Sequence, residues 1–264
     1  MKHLIPFLPK PAFVPVIRLQ GAIGAGGRSL SDQSLAPLFE RAFARGKPAA
    51  VALAINSPGG SPVQSSLIAA RIRRLADQHK IPVHAFVEDV AASGGYWLAC
   101  AADDIWVDES SVVGSIGVIY ASFGFPELLA RQGVERRVHT AGTSKSFGDP
   151  FKAETPRDVE RIRAMLEPLH ANFIAYVKSR RGAKLNADAD LFNADIWVGR
   201  PSVDLGLTDG IGHLVPKLRE IYGEKVRLAP FGQRRSLMQR FGLGLSETLM
   251  ASVEERALWA RYGL

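Results

Sequence analysis

The chain has 264 residues, 47% of them apolar and 22% charged, which sets it among globular proteins with a sizeable core and away from disordered or fibrous chains. Its one cysteine, Cys100, excludes an internal disulfide and any multi-cysteine zinc site, and fits a reducing compartment. A net charge of +7 suits anionic lipid, nucleic acid or an acidic partner, but the basic residues are spread thinly with no aromatic–basic module beside them, so nucleic acid is not expected.

Met1–Leu19 opens with Lys2 and a brief apolar run, Leu4–Leu8, which Pro6 interrupts and Pro9, Pro11 and Pro15 follow. That run is too short and broken for a signal-peptide core or a membrane span, and no other approaches about 18 apolar residues. The expectation is a soluble chain, cytoplasmic or peripheral on a membrane. It divides into a proline-rich arm over 1–13, one folded domain over 14–222 and a basic amphipathic tail over 223–264.

In chain order, Val14–Gln20 reads as a first strand, Gly21–Gly27 as a glycine loop and Ser34–Arg45 as a helix with Leu35, Leu38, Phe39 and Ala42 on one face. Ala49–Ile55 is a continuous apolar run of the kind found in a buried parallel strand, closed by Asn56–Gly60 and followed by a helix over Val63–Gln78. The unit recurs as strand Pro82–Val87, turn Ala91–Gly95, helix Gly94–Ala102 and short strand Asp104–Val107. Alternating strands and helices with short links predict an α/β domain with a mainly parallel sheet. Ligands in such folds gather at the carboxyl ends of strands, where both glycine turns fall.

Ser110–Tyr120 is apolar and punctuated by glycine, a helix is expected around Pro126–Gln132 and a strand over Val134–His139. The loop Thr140–Pro150 holds Lys145, and Pro156–Arg181 reads as a long structural helix opened by Thr155 and Pro156, with Val159, Ile162, Leu166, Leu169, Phe173 and Val177 along one face. Trp197–Leu218 contains a short helix and a turn, Gly206–Gly210. In the tail, Phe231–Leu243 and Leu245–Tyr262 mix Arg234, Arg235 and Arg240 with Leu237, Phe241, Leu249 and Trp259, a pattern that packs on its own domain or a neighbouring subunit, or lies on an anionic membrane.

The chemistry centres on Asp89–Cys100, where Ser93 sits between an apolar strand and a helix start. A serine there is ordinarily an N-cap. It can also serve as a nucleophile, given a base to take its proton and two donors for the oxyanion. The amides of Gly60 and Gly94 are the candidate donors, with a plain strand-to-helix turn as the alternative for Asn56–Gly60. No histidine among His79, His84, His139, His170 and His213 lies in a setting that marks it as the base, His139 being the best of them. Lysine serves instead where burial keeps it neutral, and Lys145 stands among short side chains with Gly142 and Gly148 on either side.

The segments INSPGG (Ile55–Gly60), ASGGYWLACAAD (Ala92–Asp103), GSIGVI (Gly114–Ile119) and AGTSKSFGDPF (Ala141–Phe151), in this order, resemble the signal peptide peptidase family of serine–lysine proteases, from about Val14 to about Lys217. The resemblance implies a ClpP/crotonase-like fold of repeated ββα units with helical additions. It implies Ser93 as nucleophile, Lys145 as general base, Ser115 as the hydroxyl that orients the lysine, and Gly60 as an oxyanion donor beside Gly94. It further implies a homo-oligomer whose dyad is completed across subunits, peptide substrates that are short, extended and apolar, and neither cofactor nor metal. The N-terminal anchor of many relatives and the tandem duplication of some are not seen in this sequence. Two other readings are a crotonase-type acyl-CoA enzyme, which needs the paired oxyanion donors but not Ser93 and Lys145 together, and a non-catalytic scaffold that binds membrane proteins.

Overall fold

A computed structural model describes residues 11–24, 29–142, 145–232, 256 and 258–263. Most of the proline-rich arm and most of the tail, including the greater part of its two amphipathic stretches, lie outside the described residues.

The chain opens with β1 (Phe13–Gln20), α1 (Asp32–Ala44), β2 (Val51–Ser57), α2 (Pro62–His79) and β3 (Val83–Ala92). Helix α1 is started by a capping box in which Ser31 and Ser34 bond reciprocally, and α2 by Ser61 with Pro62 in its first turn. The next elements are α3 (Gly94–Ala99), β4 (Asp104–Val107), β5 (Val112–Gly114), α4 (Pro126–Arg131) and α5 (Pro156–Arg181). Last come β6 (Ile196–Val198), α6 (Arg200–Asp204), β7 (Gly210–Ile211), α7 (Leu214–Tyr222) and β8 (Arg227–Phe231).

The strands form one sheet in the order β6-β5-β3-β2-β1-β8, with β4 joined to β3 and β7 to β4. Every pairing is parallel except β5 with β6. Strand β2 is buried along its whole length, as its uninterrupted apolar run demands of a central strand covered on both faces. One face packs Leu53 and Ile55 with Leu35, Phe39, Ile68 and Ile72 of α1 and α2. The other sets Ala52 and Phe86 against Leu218 of α7. Each fully buried Leu, Ile or Phe contributes about 1.5–3 kcal/mol.

Four expectations change. Strand β3 does not end at Val87: Ile55 pairs with Val87 and Ser57 with Ala91, so Glu88, Asp89 and Val90 bulge opposite Asn56. Below the bulge β3 pairs with β4, and above it with β5. The two acidic residues look like a strand end in sequence, yet they occupy the bend where the strand exchanges one neighbour for another, braced by Asn56 Nδ2 donating to Asp89 Oδ2. Helix α3 stops at Ala99 rather than Ala102. Val134–His139 is not a strand; the whole stretch is exposed and pairs with no strand among the described residues. Finally, the sheet extends past Tyr222, because β8 runs parallel to β1 from Phe13 opposite Arg227 to Ile17 opposite Phe231.

Candidate active site

Strand β3 delivers Ser93 to the first position before α3 with φ +52° and ψ −122°, a conformation that costs a non-glycine residue about 1–3 kcal/mol. The surroundings hold it there. Ser93 N–H donates to Gly114 O at 2.8 Å, and Trp97 N–H donates to Ser93 O at 3.0 Å. Its side chain makes no capping hydrogen bond, so the ordinary reason for a serine at a helix start does not apply.

The turn after β2 packs directly on this elbow. Gly59 and Gly60 have φ +98° and +140°, and a Cβ on Gly59 would stand 2.8 Å from Ser93 Cβ, Gly94 N and Ala92 O. A Cβ on Gly94 would meet Ser65 Oγ and come within 3.3 Å of Gly60 N. Only glycine permits backbones this close. The flanking amides are committed, Ile23 N–H to Gly59 O and Ser61 N–H to Ile23 O, both at 2.8 Å. Among the described residues the amides of Gly60 and Gly94 have no acceptor.

Strand β5 brings Ser115 alongside. Ala92 is paired with Gly114, so Ser93 and Ser115 leave neighbouring strands at the same level, about one strand spacing of 4.8 Å apart. Ser115 is buried, has φ +51°, and its N–H donates to Asp195 O at 2.7 Å. Its hydroxyl has no partner among the described residues.

Ser93, Ser115, Gly60 and Gly94 are thus brought to one end of the sheet; Lys145 is not. Where burial was expected, Lys145 is exposed in a turn, its N–H donating to Gly142 O at 3.2 Å, and among the described residues no hydrogen bond joins it to either serine. The histidines are engaged elsewhere. His84 Nδ1 meets Asp104 and its Nε2 meets Tyr222 Oη at 2.7 Å, His213 faces Asp108, His79 stacks on Phe43, and His139 is exposed. His170 is the exception, with Nε2 2.9 Å from Ile116 O beside Ser115. Behind α3, burial pushes the Cys100 thiol up to about 12, and burial likewise raises Tyr96, whose hydroxyl donates to Leu207 O at 2.7 Å. Neither is a nucleophile.

Helix α5 contributes more than the packing read from its stripe. Only Phe173, Val177 and Arg181 are buried, while Ile162, Met165, Leu166 and Leu169 line an apolar cleft of about 250 Å³ with Pro62, Val118–Tyr120 and Phe147. The cleft starts two residues from Gly60 and three from Ser115. The signal in the sequence was the length of the stripe, longer than the core needed. A larger cavity of about 590 Å³, lined by charged residues including Glu127, Lys152, Arg157 and Arg161, lies on the far side of Tyr120 and Phe147 and does not include Ser93.

Among proteins of known identity, a chain-length match at 49% identity is made with part of the Na(+)/H(+) antiporter NhaA of Brucella melitensis, of which this chain spans 39%. A putative signal peptide peptidase SppA of Enterococcus faecium is 31% identical over 66% of this chain and 51% of its own length. A probable protease SohB of Haemophilus influenzae is 29% identical over 90% of this chain and 66% of its own. The 1510-N membrane-bound stomatin-specific protease, solved with a substrate peptide, superposes with a TM-score of 0.54 at 16% identity, covering 88% of this chain and 97% of that one. That likeness shows the fold, the ClpP-like α/β arrangement expected from the motifs. The family model described as Peptidase family S49 matches residues 76–221, from the end of α2 through α7, and the chain belongs to that family.

Proposed function

We propose that the chain is a serine endopeptidase acting through Ser93 and Lys145 on short, extended, apolar peptides such as signal-peptide remnants. The observation that carries this reading is the strained Ser93, its hydroxyl making no capping hydrogen bond, set against the amides of Gly60 and Gly94, which have no acceptor among the described residues. In the proposed reaction Ser93 Oγ attacks the peptide carbonyl as Lys145 Nζ accepts its proton. The oxyanion is held by the two amides, and the leaving amine takes the proton from the lysine. Water, deprotonated by the same lysine, then releases the acyl group from Ser93. The apolar cleft beside Pro62 favours an apolar side chain near the scissile bond.

Exposure of Lys145 in the single chain supports a site completed by a second copy. The segment around it leaves Ile119 at 65% and Phe123 at 80% exposure, with Leu128 and Val134 also open, an apolar surface suited to a neighbouring subunit. A peripheral position at a membrane is supported by the Brucella relative, in which a matching stretch lies in a polypeptide named as an antiporter. Among the described residues no helix is long and apolar enough to cross a membrane.

The test is hydrolysis of a fluorogenic peptide by the full chain and by Ser93→Ala and Lys145→Ala. Each variant should be inactive alone, and mixing the two should restore activity if each site draws its lysine from a neighbour. Near wild-type turnover by either variant refutes the dyad. Hydrolysis of a CoA thioester without peptide cleavage would favour the crotonase-type reading instead.

A further inference from the structure

Helix α5 packs on α3, the helix that Ser93 precedes, and reaches the turn that carries Ser115. Trp97, one turn beyond Ser93, stacks on Phe173 and Tyr176 with ring centroids 4.7 and 5.2 Å away. One turn earlier on the same helix, His170 Nε2 lies 2.9 Å from the carbonyl oxygen of Ile116, the residue after Ser115. A carbonyl only accepts, so Nε2 carries the hydrogen and donates.

That bond completes a clamp on the turn Gly114–Gly117. Gly114 O accepts from Ser93 N–H at 2.8 Å, Ser115 N–H donates to Asp195 O at 2.7 Å, and Ile116 O accepts from His170. Three successive residues are therefore pinned to three different parts of the fold: the start of α3, the approach to β6, and α5. The residue in the middle, Ser115, sits at φ +51°, a conformation that persists only where its surroundings over-determine it. The side chain of Ile116 is fully buried, and His170 is the only donor to its carbonyl among the described residues.

We propose that His170 is a positioning residue for the proposed peptidase reaction: its Nε2–H, held by α5, fixes the Gly114–Gly117 turn and with it the aim of the Ser115 hydroxyl. The inference rests on the reading of Ser115 as the group that orients Lys145. It also assigns α5 a share in setting the active site, because the helix that lines the apolar cleft is the one that holds the turn.

The experiment measures kcat and KM on a fluorogenic peptide for the full chain with His170→Leu, His170→Gln, His170→Glu, Ser115→Ala and the double variant Ser115→Ala/His170→Leu. Leucine removes the donor and should lower kcat by about tenfold or more, leaving KM within about twofold. Glutamine keeps an amide donor and should recover most of the loss; glutamate, of the same shape with no donor when ionised, should not. The double variant should be no slower than Ser115→Ala, since both changes disable one device. Wild-type kcat in His170→Leu, equal losses for glutamine and glutamate, or multiplying losses in the double variant would overturn the proposal. If His170→Leu does not fold, the glutamine and glutamate pair decides alone. Slow Ser115→Ala with fast His170→Glu sinks only the role of His170, whereas a fast Ser115→Ala sinks the reading of Ser115 and the inference with it.

Discussion

Replacing Gly59 by alanine asks whether the turn after β2 and the Ser93 elbow are packed as one body. At φ +98° an alanine is in the left-handed half of backbone space, a cost of about 1–2 kcal/mol. Its Cβ would also stand 2.8 Å from Ser93 Cβ, Gly94 N and Ala92 O, two of them backbone atoms that cannot swing aside. Overpacking of this kind adds about 1–3 kcal/mol, and the stiffer unfolded chain offsets about 0.4–1 kcal/mol. The net destabilisation expected is about 3 kcal/mol. Gly133→Ala is the control, since Gly133 also has positive φ, +65°, but nothing lies within 4 Å of the added methyl; it should cost about 1 kcal/mol or less. Urea unfolding at constant m reads both values. Because the relief available to Gly59→Ala is to push Ser93 and Gly94 away, kcat should fall by about a hundredfold in the protein that remains folded. Equal midpoints for the two variants, or wild-type kcat in Gly59→Ala, would refute the packing argument.

Ser93→Gly should abolish peptide hydrolysis yet stabilise the fold by about 1 kcal/mol, because glycine occupies φ +52° without strain; a lowered thermal midpoint would contradict it. Asp209 provides the pH prediction. Burial alone would raise its carboxyl, but hydrogen bonds from Arg181 Nη1 and Lys184 Nζ, both at 2.7 Å, hold it below the ordinary range. The stability it contributes is therefore present above the unfolded value of about 3.9 and lost as the pH falls through the folded one. Asp209→Asn should be destabilised by about 3–5 kcal/mol near neutrality, leaving Arg181 buried without its counter-charge, and should lose less stability on acidification below about pH 4 than wild type. Urea midpoints measured from neutral pH into that acidic range check both. Cys100, buried and pushed up to about 12, should resist a thiol reagent near pH 8 in the native chain and react fully in denaturant; rapid native labelling would show that α3 opens.

The regular part of the fold was legible because its signals are local. Ala49–Ile55 reads as a strand buried on both faces, and Thr155-Pro156 marks the start of α5, where Thr155 and Asp158 form a capping box. The exceptions are places where distant groups decide the conformation. Glu88 and Asp89 look like the end of a strand until Asn56 and β5 are beside them. Val134–His139 reads as a strand but pairs with no strand among the described residues. His170, one of five undistinguished histidines, acquires its meaning from a carbonyl 54 positions away.

The sequence by itself determined the α/β class and the alternation of strands with helices, which follow from apolar periodicity, and it held the four motifs whose family resemblance singles out Ser93, Gly60, Ser115 and Lys145. Only the tertiary structure decided that Ser93 is strained and makes no capping hydrogen bond, that the amides of Gly60 and Gly94 lie close together with no acceptor among the described residues, and that Ser115 leaves the adjacent strand at the same level. It also left Lys145 on the surface of its own chain. The physical reason is that hydrogen-bond satisfaction and burial belong to neighbours brought together by the sheet, and spacing along one chain does not specify them.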